Sequence, residues 1–202
     1  MGKIVVSENV SLDGVVEDPS GEQGFRHGGW FVQFIGQDWE AWAELELAEA
    51  QRAEALLLGR RSDEYFATRS PSQSGEWVDR LNSLPKYVVS STLEEPKWTN
   101  ATVLRGEVVS EVSKLKQQTE GEIAMYASRP LVRKLMEHDL VDELRLTRLP
   151  GCARRGCAAV RRDQRQATLA PDRHEDHRER TRPPNLRARP GGLDEAAGTH
   201  SP

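Results

Sequence analysis

Cysteine is missing from the first 151 residues of this 202-residue chain, so no disulfide framework holds its main body, which fits a reducing compartment. Histidine is nearly missing too: only His27 and His138 precede residue 148. No Ser-His-Asp or Cys-His arrangement can be assembled from these, which argues against a hydrolase of that kind. No apolar run approaches the length of a membrane span, and the chain enters directly on an alternating strand without a basic and then apolar leader. Neither a GxGxxG nor a Walker loop occurs. The last quarter lacks most of all. The final aromatic residue is Tyr126, and from residue 148 onward Lys, Ile, Phe, Met, Tyr and Trp are absent, with Val160 the one β-branched aliphatic. A segment so poor in large apolar groups cannot bury enough surface to offset its chain entropy.

Composition therefore divides the chain near Thr147. Residues 1–147 carry 16 basic and 25 acidic side chains, and residues 148–202 carry 12 and 7. An acidic body is a poor partner for nucleic acid, whose phosphates call for clustered Lys and Arg. The expected protein is cytoplasmic and acts on a small-molecule substrate, without nucleic acid or membrane as partner and with a homodimer left open. The foldable part is residues 1–147, followed by a disordered Arg-rich tail over 148–202.

Within the body, apolar runs alternate with amphipathic stretches. Lys3 to Val10 reads as a strand, and a long polar loop from Ser11 to about Gly36 carries Phe25, Trp30, Phe31 and Phe34. A connection of that length inside a compact domain is expected to be functional or a binding lid. Asp38 reads as the cap of a helix with Trp39, Ala43, Leu47 and Ala50 on one face. Ala55 to Leu58, Tyr87 to Ser90, Thr102 to Leu104 and Ile123 to Tyr126 read as buried strands. A helix from Ser110 turns Val112 and Leu115 inward, another after Ser128 turns Leu131, Val132, Leu135 and Met136 inward, and Leu140 to Leu146 offers a last strand. This alternation predicts a mostly parallel sheet covered by helices on both faces.

In such sheets ligands sit beyond the carboxyl ends of the strands. Gly59, Arg60, Arg61 and Ser62 leave one strand and open a helix, where free backbone N–H groups and two fixed positive charges suit a phosphate. The same four residues also read as a tight turn with two solvated arginines. Ser90, Ser91 and Thr92 place three hydroxyls after the neighbouring strand, as an anion contact or an ordinary polar cap. Ala127 and Ser128 open a helix without the glycine pair that brings a backbone closest to a pyrophosphate. Asp13, in Ser11-Leu12-Asp13-Gly14, can orient a polar substrate or serve as a common turn residue. His27, beside Gly28 and Gly29, reads as a solvated loop histidine.

Taken in order, Val5-Val6-Ser7 with Ser11-Leu12-Asp13-Gly14, Leu57-Leu58-Gly59-Arg60-Arg61-Ser62, Tyr87-Val88-Val89-Ser90-Ser91-Thr92, Leu131-Val132 and Leu140-Val141-Asp142-Glu143-Leu144 resemble the bacterial dihydrofolate reductase-like proteins. These are grouped with the reductase domain of riboflavin biosynthesis. The resemblance implies a dihydrofolate reductase-like three-layer α/β/α fold with NADPH as cofactor. It places Gly59 to Ser62, Ser90 and Ser91 on the cofactor's phosphates and Ala127 and Ser128 by its pyrophosphate. Asp13 falls on the nicotinamide and substrate side as the catalytic candidate, and no metal is implied. The family reaction reduces 5-amino-6-(5-phosphoribosylamino)uracil to its ribitylamino form. The zinc-bearing deaminase partner domain of the bifunctional enzymes is absent from this sequence. The alternative is a non-catalytic nucleotide-binding or dimerisation remnant.

The resemblance also implies an apolar strand, a glycine turn and closing strands after Leu146, and these are missing. Codons can be chosen for residues 148–187 so that reading one nucleotide later yields an apolar strand, the glycine turn VVLGAGAPLFG, a surface segment and a closing hairpin. That pattern points to a single frameshift between Leu146 and Arg148. It also accounts for Cys152, Cys157, His174 and His177, whose spacing matches no standard zinc site, and for an Arg-rich run without interleaved aromatics. Sequencing the coding DNA around Thr147 is expected to find the shifted frame open; a stop codon shortly downstream in that frame contradicts the reading.

Overall fold

The computed structural model describes residues 1–72 and 74–154. Cys157, His174, His177 and most of the Arg-rich segment lie outside the described residues. The strands β1 (Lys3–Val10), β2 (Ala53–Gly59), β3 (Lys86–Val89), β4 (Ala101–Leu104), β5 (Glu122–Tyr126) and β6 (Glu143–Arg148) form one sheet in the order β4-β3-β2-β5-β1-β6. Every pairing is parallel. Parallel neighbours need crossover connections, supplied by α1 (Trp30–Ile35), α2 (Trp39–Arg52), α3 (Arg60–Arg69), α4 (Glu76–Ser83), α5 (Val108–Gln118) and α6 (Arg129–Glu137).

Alternation along the strands sorts the core into two faces. Ile4, Val6, Leu57, Ile123 and Met125 pack with Val112 and Leu115 of α5 and with Leu131 and Leu135 of α6. Leu56, Leu58, Ala124 and Tyr126 pack with Ala50 of α2, Leu81 of α4 and Phe66 of α3. Leu56, Leu57 and Leu58 are fully buried because helices cover both faces, which is why this strand is a continuous apolar run. The result is the three-layer α/β/α arrangement expected from the sequence, with the sheet wholly parallel among the described residues.

Several local expectations are revised. The aromatic loop after β1 forms a third apolar core, in which Val15, Trp30, Phe31, Ile35 and Leu149 pack with Phe25, Phe34 and Trp42. Trp39 is half exposed, and beside Ala50, which is buried as expected, the buried face of α2 carries Glu46 and Glu49. Helix α5 starts at Val108, because Glu107 rather than Ser110 is the cap and accepts the Ser110 N–H at 2.9 Å. β6 begins at Glu143: Asp142 turns its side chain away to accept the Ile4 N–H at 2.7 Å and the ammonium of buried Lys116. Helix α4 carries no motif in the sequence reading. It is fixed by Lys86, fully buried, which donates to the carbonyls of Asn82 and Leu84 at 3.0 and 2.8 Å under the Trp98 ring.

Structured chain runs past the compositional boundary at 147. Arg148 pairs with Val10, Leu149 is buried, and the carbonyl of Gly151 accepts the Leu12 N–H at 2.8 Å. Gly151 sits so close to the Phe34 ring that a Cβ has no room there. Among the described residues nothing pairs with the outer edge of β6, and Leu144 and Leu146 are 42% and 48% exposed. No helix among the described residues is long and apolar enough to cross a membrane.

Candidate functional site

Strands β2 and β5 lie side by side, but the helices that follow them leave to opposite faces, α3 with the α2 side and α6 with the α5 side. A crevice therefore opens between their carboxyl ends, the usual ligand position in a doubly wound sheet. Ser128 spans it. Its hydroxyl accepts the Gly59 N–H at 2.9 Å and donates to the Ser62 hydroxyl at 2.8 Å. Ser62 and Ser128 are both buried. Gly59, Ser62, Ala127 and Ser128, separated by more than sixty residues in the chain, thus meet in one place.

Neither serine caps its helix. Helix α3 begins at Arg60 with Gly59 before it, so Ser62 lies inside the first turn. Ser128 precedes α6 but makes no side-chain cap, since its hydroxyl is committed across the crevice. Ala127 and Ser128 both take left-handed backbone conformations, φ 57° and 62°. That conformation costs a residue with a Cβ about 1 kcal/mol and suits glycine. Two consecutive left-handed residues turn the chain sharply from β5 into α6 while keeping Ser128 over Gly59.

The charged and hydroxyl groups around the crevice are available. Arg60 and Arg61 are exposed at the start of α3 and make no ion pair among the described residues. The register places Gly59 opposite Val89, so Ser90 and Ser91 emerge beside them. The Ser90 hydroxyl accepts the Leu93 N–H at 3.1 Å and shapes its own turn, which leaves exposed Ser91 as the outward hydroxyl. Asp63, fully buried in the first turn of α3, accepts the N–H groups of Lys97 and Trp98 at 2.8 and 3.1 Å and pins the connection that carries Ser90 and Ser91.

Asp13 lies at the exit of β1, with its carboxylate engaged by its own chain. It accepts the Ser11 hydroxyl at 2.7 Å and the N–H groups of Ala153 and Arg154 at 2.8 and 3.1 Å. These hydrogen bonds outweigh its partial desolvation and hold its carboxyl below the usual range. Asp13 thus fastens residues 153 and 154 over the β1 exit.

The loop between β1 and α1 is ordered by Asp18, which the sequence reading passed over. Asp18 is buried and accepts the N–H groups of Gln23 and Phe25, both at 3.0 Å. Its Oδ2 leaves no room for a Cβ at Gly28, which explains the glycine there. The loop is tied to both helices that flank the crevice. Glu17 pairs with Arg129 at 2.8 and 3.1 Å at the start of α6, and Glu22 pairs with Arg69 of α3. His27 packs edge-on against Phe25 with its Nε2 buried, so it is not a solvated loop histidine.

A second polar group was hidden in what reads as the apolar face of α2. Glu46 and Glu49 are buried, each 6% exposed. Burial first, then the charges of Glu49 and Glu8, push the Glu46 carboxyl up to about 8. Burial likewise lifts Glu8 to about 7 against the opposing pull of Arg129. Burial and the two α2 carboxylates together raise the Tyr126 phenol. A signal existed in the sequence: Glu46 and Glu49 flank Leu47 and precede Ala50 at the spacing of one helix face.

Comparison with known proteins agrees with this architecture. Residues 2–153 match the family described as the RibD C-terminal domain. The uncharacterized protein YyaP of Bacillus subtilis (strain 168) is 26% identical over 158 residues, covering 72% of this chain and 73% of YyaP. A solved structure from Shewanella sp. PV-4, provisionally assigned by its name to riboflavin biosynthesis, superposes with a TM-score of 0.52 at 20% identity. That match covers 75% of this chain and 78% of the other, and it speaks to the fold alone.

The left-handed pair gives a direct stability test. Ala127→Gly relieves backbone strain at an exposed position and is expected to stabilise the fold by about 0.5–1 kcal/mol. Ser128→Ala removes the bridge to Gly59 and Ser62 and is expected to cost about 1–3 kcal/mol. Thermal melting of both variants checks this, and a destabilised Ala127→Gly contradicts it.

Proposed function

We propose that this chain, which belongs to the RibD C-terminal domain family, is an NADPH-dependent reductase acting on a pterin-like or ribosylaminopyrimidine substrate in the cytoplasm. The observation that carries the reading is the Gly59–Ser128–Ser62 hydrogen-bond chain across the β2/β5 crevice, flanked by Arg60 and Arg61 without ion partners among the described residues.

The donor set fits a dinucleotide phosphate. The first-turn N–H groups of α3 face the crevice end of the sheet, and the helix dipole adds partial positive charge there. A Cβ on Gly59 meets only the Ser128 side chain, at 3.7 Å, so the space above Gly59 is open to a ligand. Arg60 and Arg61 would hold phosphate oxygens, with the Ser91 hydroxyl beside them. The left-handed turn at Ala127 and Ser128 would bring backbone close to the pyrophosphate. When bound, NADPH supplies a hydride. Asp13 then serves as a positioning residue, because its carboxylate fastens residues 153 and 154 beside the β1 exit.

A second reading rests on the open edge of β6. Among the described residues the outer edge of β6 is unpaired and carries two half-exposed leucines, which is what loss of the closing strands would leave. On that reading the chain binds the nucleotide without turning over substrate.

Titration followed by tryptophan emission tests the first reading. NADPH is expected to bind in preference to NADH. Arg61→Ala is expected to weaken NADPH about tenfold, roughly 1.4 kcal/mol, with little effect on NADH. Folded protein that binds no NADPH contradicts the reading; NADPH binding without turnover on any pterin or ribosylaminopyrimidine supports the second.

A further inference from the structure

The outer edge of β6 presents backbone groups and leucine side chains together. The Leu149 N–H donates to the Val10 carbonyl of β1 at 2.8 Å. In a parallel ladder alternate residues turn their N–H and C=O toward the same neighbour, so Glu143, Arg145 and Thr147 face β1. Leu144, Leu146 and Arg148 turn theirs outward, where no strand pairs with them among the described residues. The side chains of these three share one face of the sheet. The register sets Leu144 beside Val6, and Val6 packs with Leu131 and Leu135 of α6, so that face is the α6 face.

Helix α6 extends the apolar surface beside them. It bridges β5 to β6, and Lys134 on one flank pairs at 3.7 Å with Glu107 at the start of α5. The flank away from α5 therefore lies on the β6 side. That flank carries an open groove of about 450 Å³ lined by Val132 and Met136, with Arg129, Arg133 and Glu137 at its rim. Met136 is 51% exposed. The rim charges are already paired, Arg133 with Glu137 and Arg129 with Glu17, so nothing there selects a charged peptide.

An open strand edge is a template for another strand. The remaining sequence is a poor source of one, since residues 155–202 contain a single β-branched aliphatic, Val160, and no aromatic. The edge is instead complementary to itself, as a twofold contact requires. Antiparallel pairing with Leu146 on the axis sets Leu146 against its own copy and Leu144 against Arg148, whose aliphatic stem can cover it. All three outward residues of each copy then fall in hydrogen-bonded pairs. On the other face Arg145, held by Glu122 and Glu143 at 2.9 and 2.7 Å, meets Thr147, so no like charges oppose each other. Moving the axis by one residue sets Arg145 against itself and leaves Arg148 unpaired.

We propose that the β6 edge is the docking surface for a second copy of this chain, the two β6 strands pairing antiparallel about a twofold axis at Leu146. The pairing joins two parallel sheets into one continuous sheet through a single antiparallel step. It brings the four leucines together on the α6 face, alongside Met136 of each copy. The contact is isologous and closes on itself, so it ends at a dimer. It goes beyond the reductase reading and does not depend on it.

Sedimentation equilibrium of the full chain is expected to show monomer and dimer without larger species. Leu146→Lys, which sets two like charges face to face on the axis, is expected to weaken dimerisation at least about tenfold. Val32→Lys, at an apolar position of α1 that is 63% exposed and away from the sheet edge, is expected to leave it unchanged. Circular dichroism melting establishes that both variants fold. Leu146→Cys supplies a gain of signal: mild oxidation is expected to link two copies, with the disulfide mapped to position 146 by peptide mass analysis. Thr147→Cys, turned to the other face and opposite Arg145, is expected to link far less. A monomer at every concentration, open-ended aggregates, a dimer unmoved by Leu146→Lys or no link through position 146 overturns the proposal. A monomer in which the Leu146→Cys thiol is shielded from a thiol reagent overturns it in favour of the chain's own remainder on the edge.

Discussion

The hydroxyl of Ser128 is the point on which the site depends. It joins the end of β2 to the end of β5 at the one place where the following helices diverge to opposite faces. Because that hydroxyl is spent between Gly59 and Ser62, α6 begins without a side-chain cap and its approach is made by two left-handed residues. Local strain at Ala127 and Ser128 is thus exchanged for a fixed crevice. The groups that surround it follow from this geometry: the amides of α3, the two exposed arginines after Gly59 and the hydroxyls after Val89.

Carboxylates that accept backbone N–H groups organise the rest. Asp63 holds the β3–β4 connection, Asp18 folds the long loop, and Asp142 ties β6 to β1 with Lys116. Each of these aspartates accepts backbone N–H groups, so each carboxylate is compensated where it sits. Glu46 and Glu49 differ, since no backbone N–H or cation reaches them among the described residues. The fold therefore contrasts carboxylates held by backbone amides with Glu46, whose carboxyl burial pushes up to about 8.

The strands and the crevice could be read from the sequence because both rest on short-range chemistry. Leu56 to Leu58 announce a strand buried on both faces, and Gly59 followed by two arginines and a serine announces an anion-suited helix start. The roles of Ser62 and Ser128 were not legible, because a serine near a helix start looks the same whether its hydroxyl serves the helix or reaches a partner sixty residues away. Asp13 stood out through its turn motif, yet its oxygens are taken by amides of residues 153 and 154, a contact no local pattern encodes. The aromatic loop was visible through its length, which suggested a functional segment or a binding lid, while its buried anchor, Asp18, carries no local signal. Glu46 and Glu49 were passed over because glutamate on a helix is ordinarily solvated.

The central claim is that the β2/β5 crevice receives the phosphates of a dinucleotide. Backbone amide spectra of the isotope-labelled chain, recorded during titration with NADPH, test it most directly. The account predicts the largest shifts at Gly59 to Ser62, Ser91, Ala127 and Ser128. Shifts confined to the outer face of α6 or to residues beyond 148, with the Gly59 and Ser128 resonances unmoved, would contradict it.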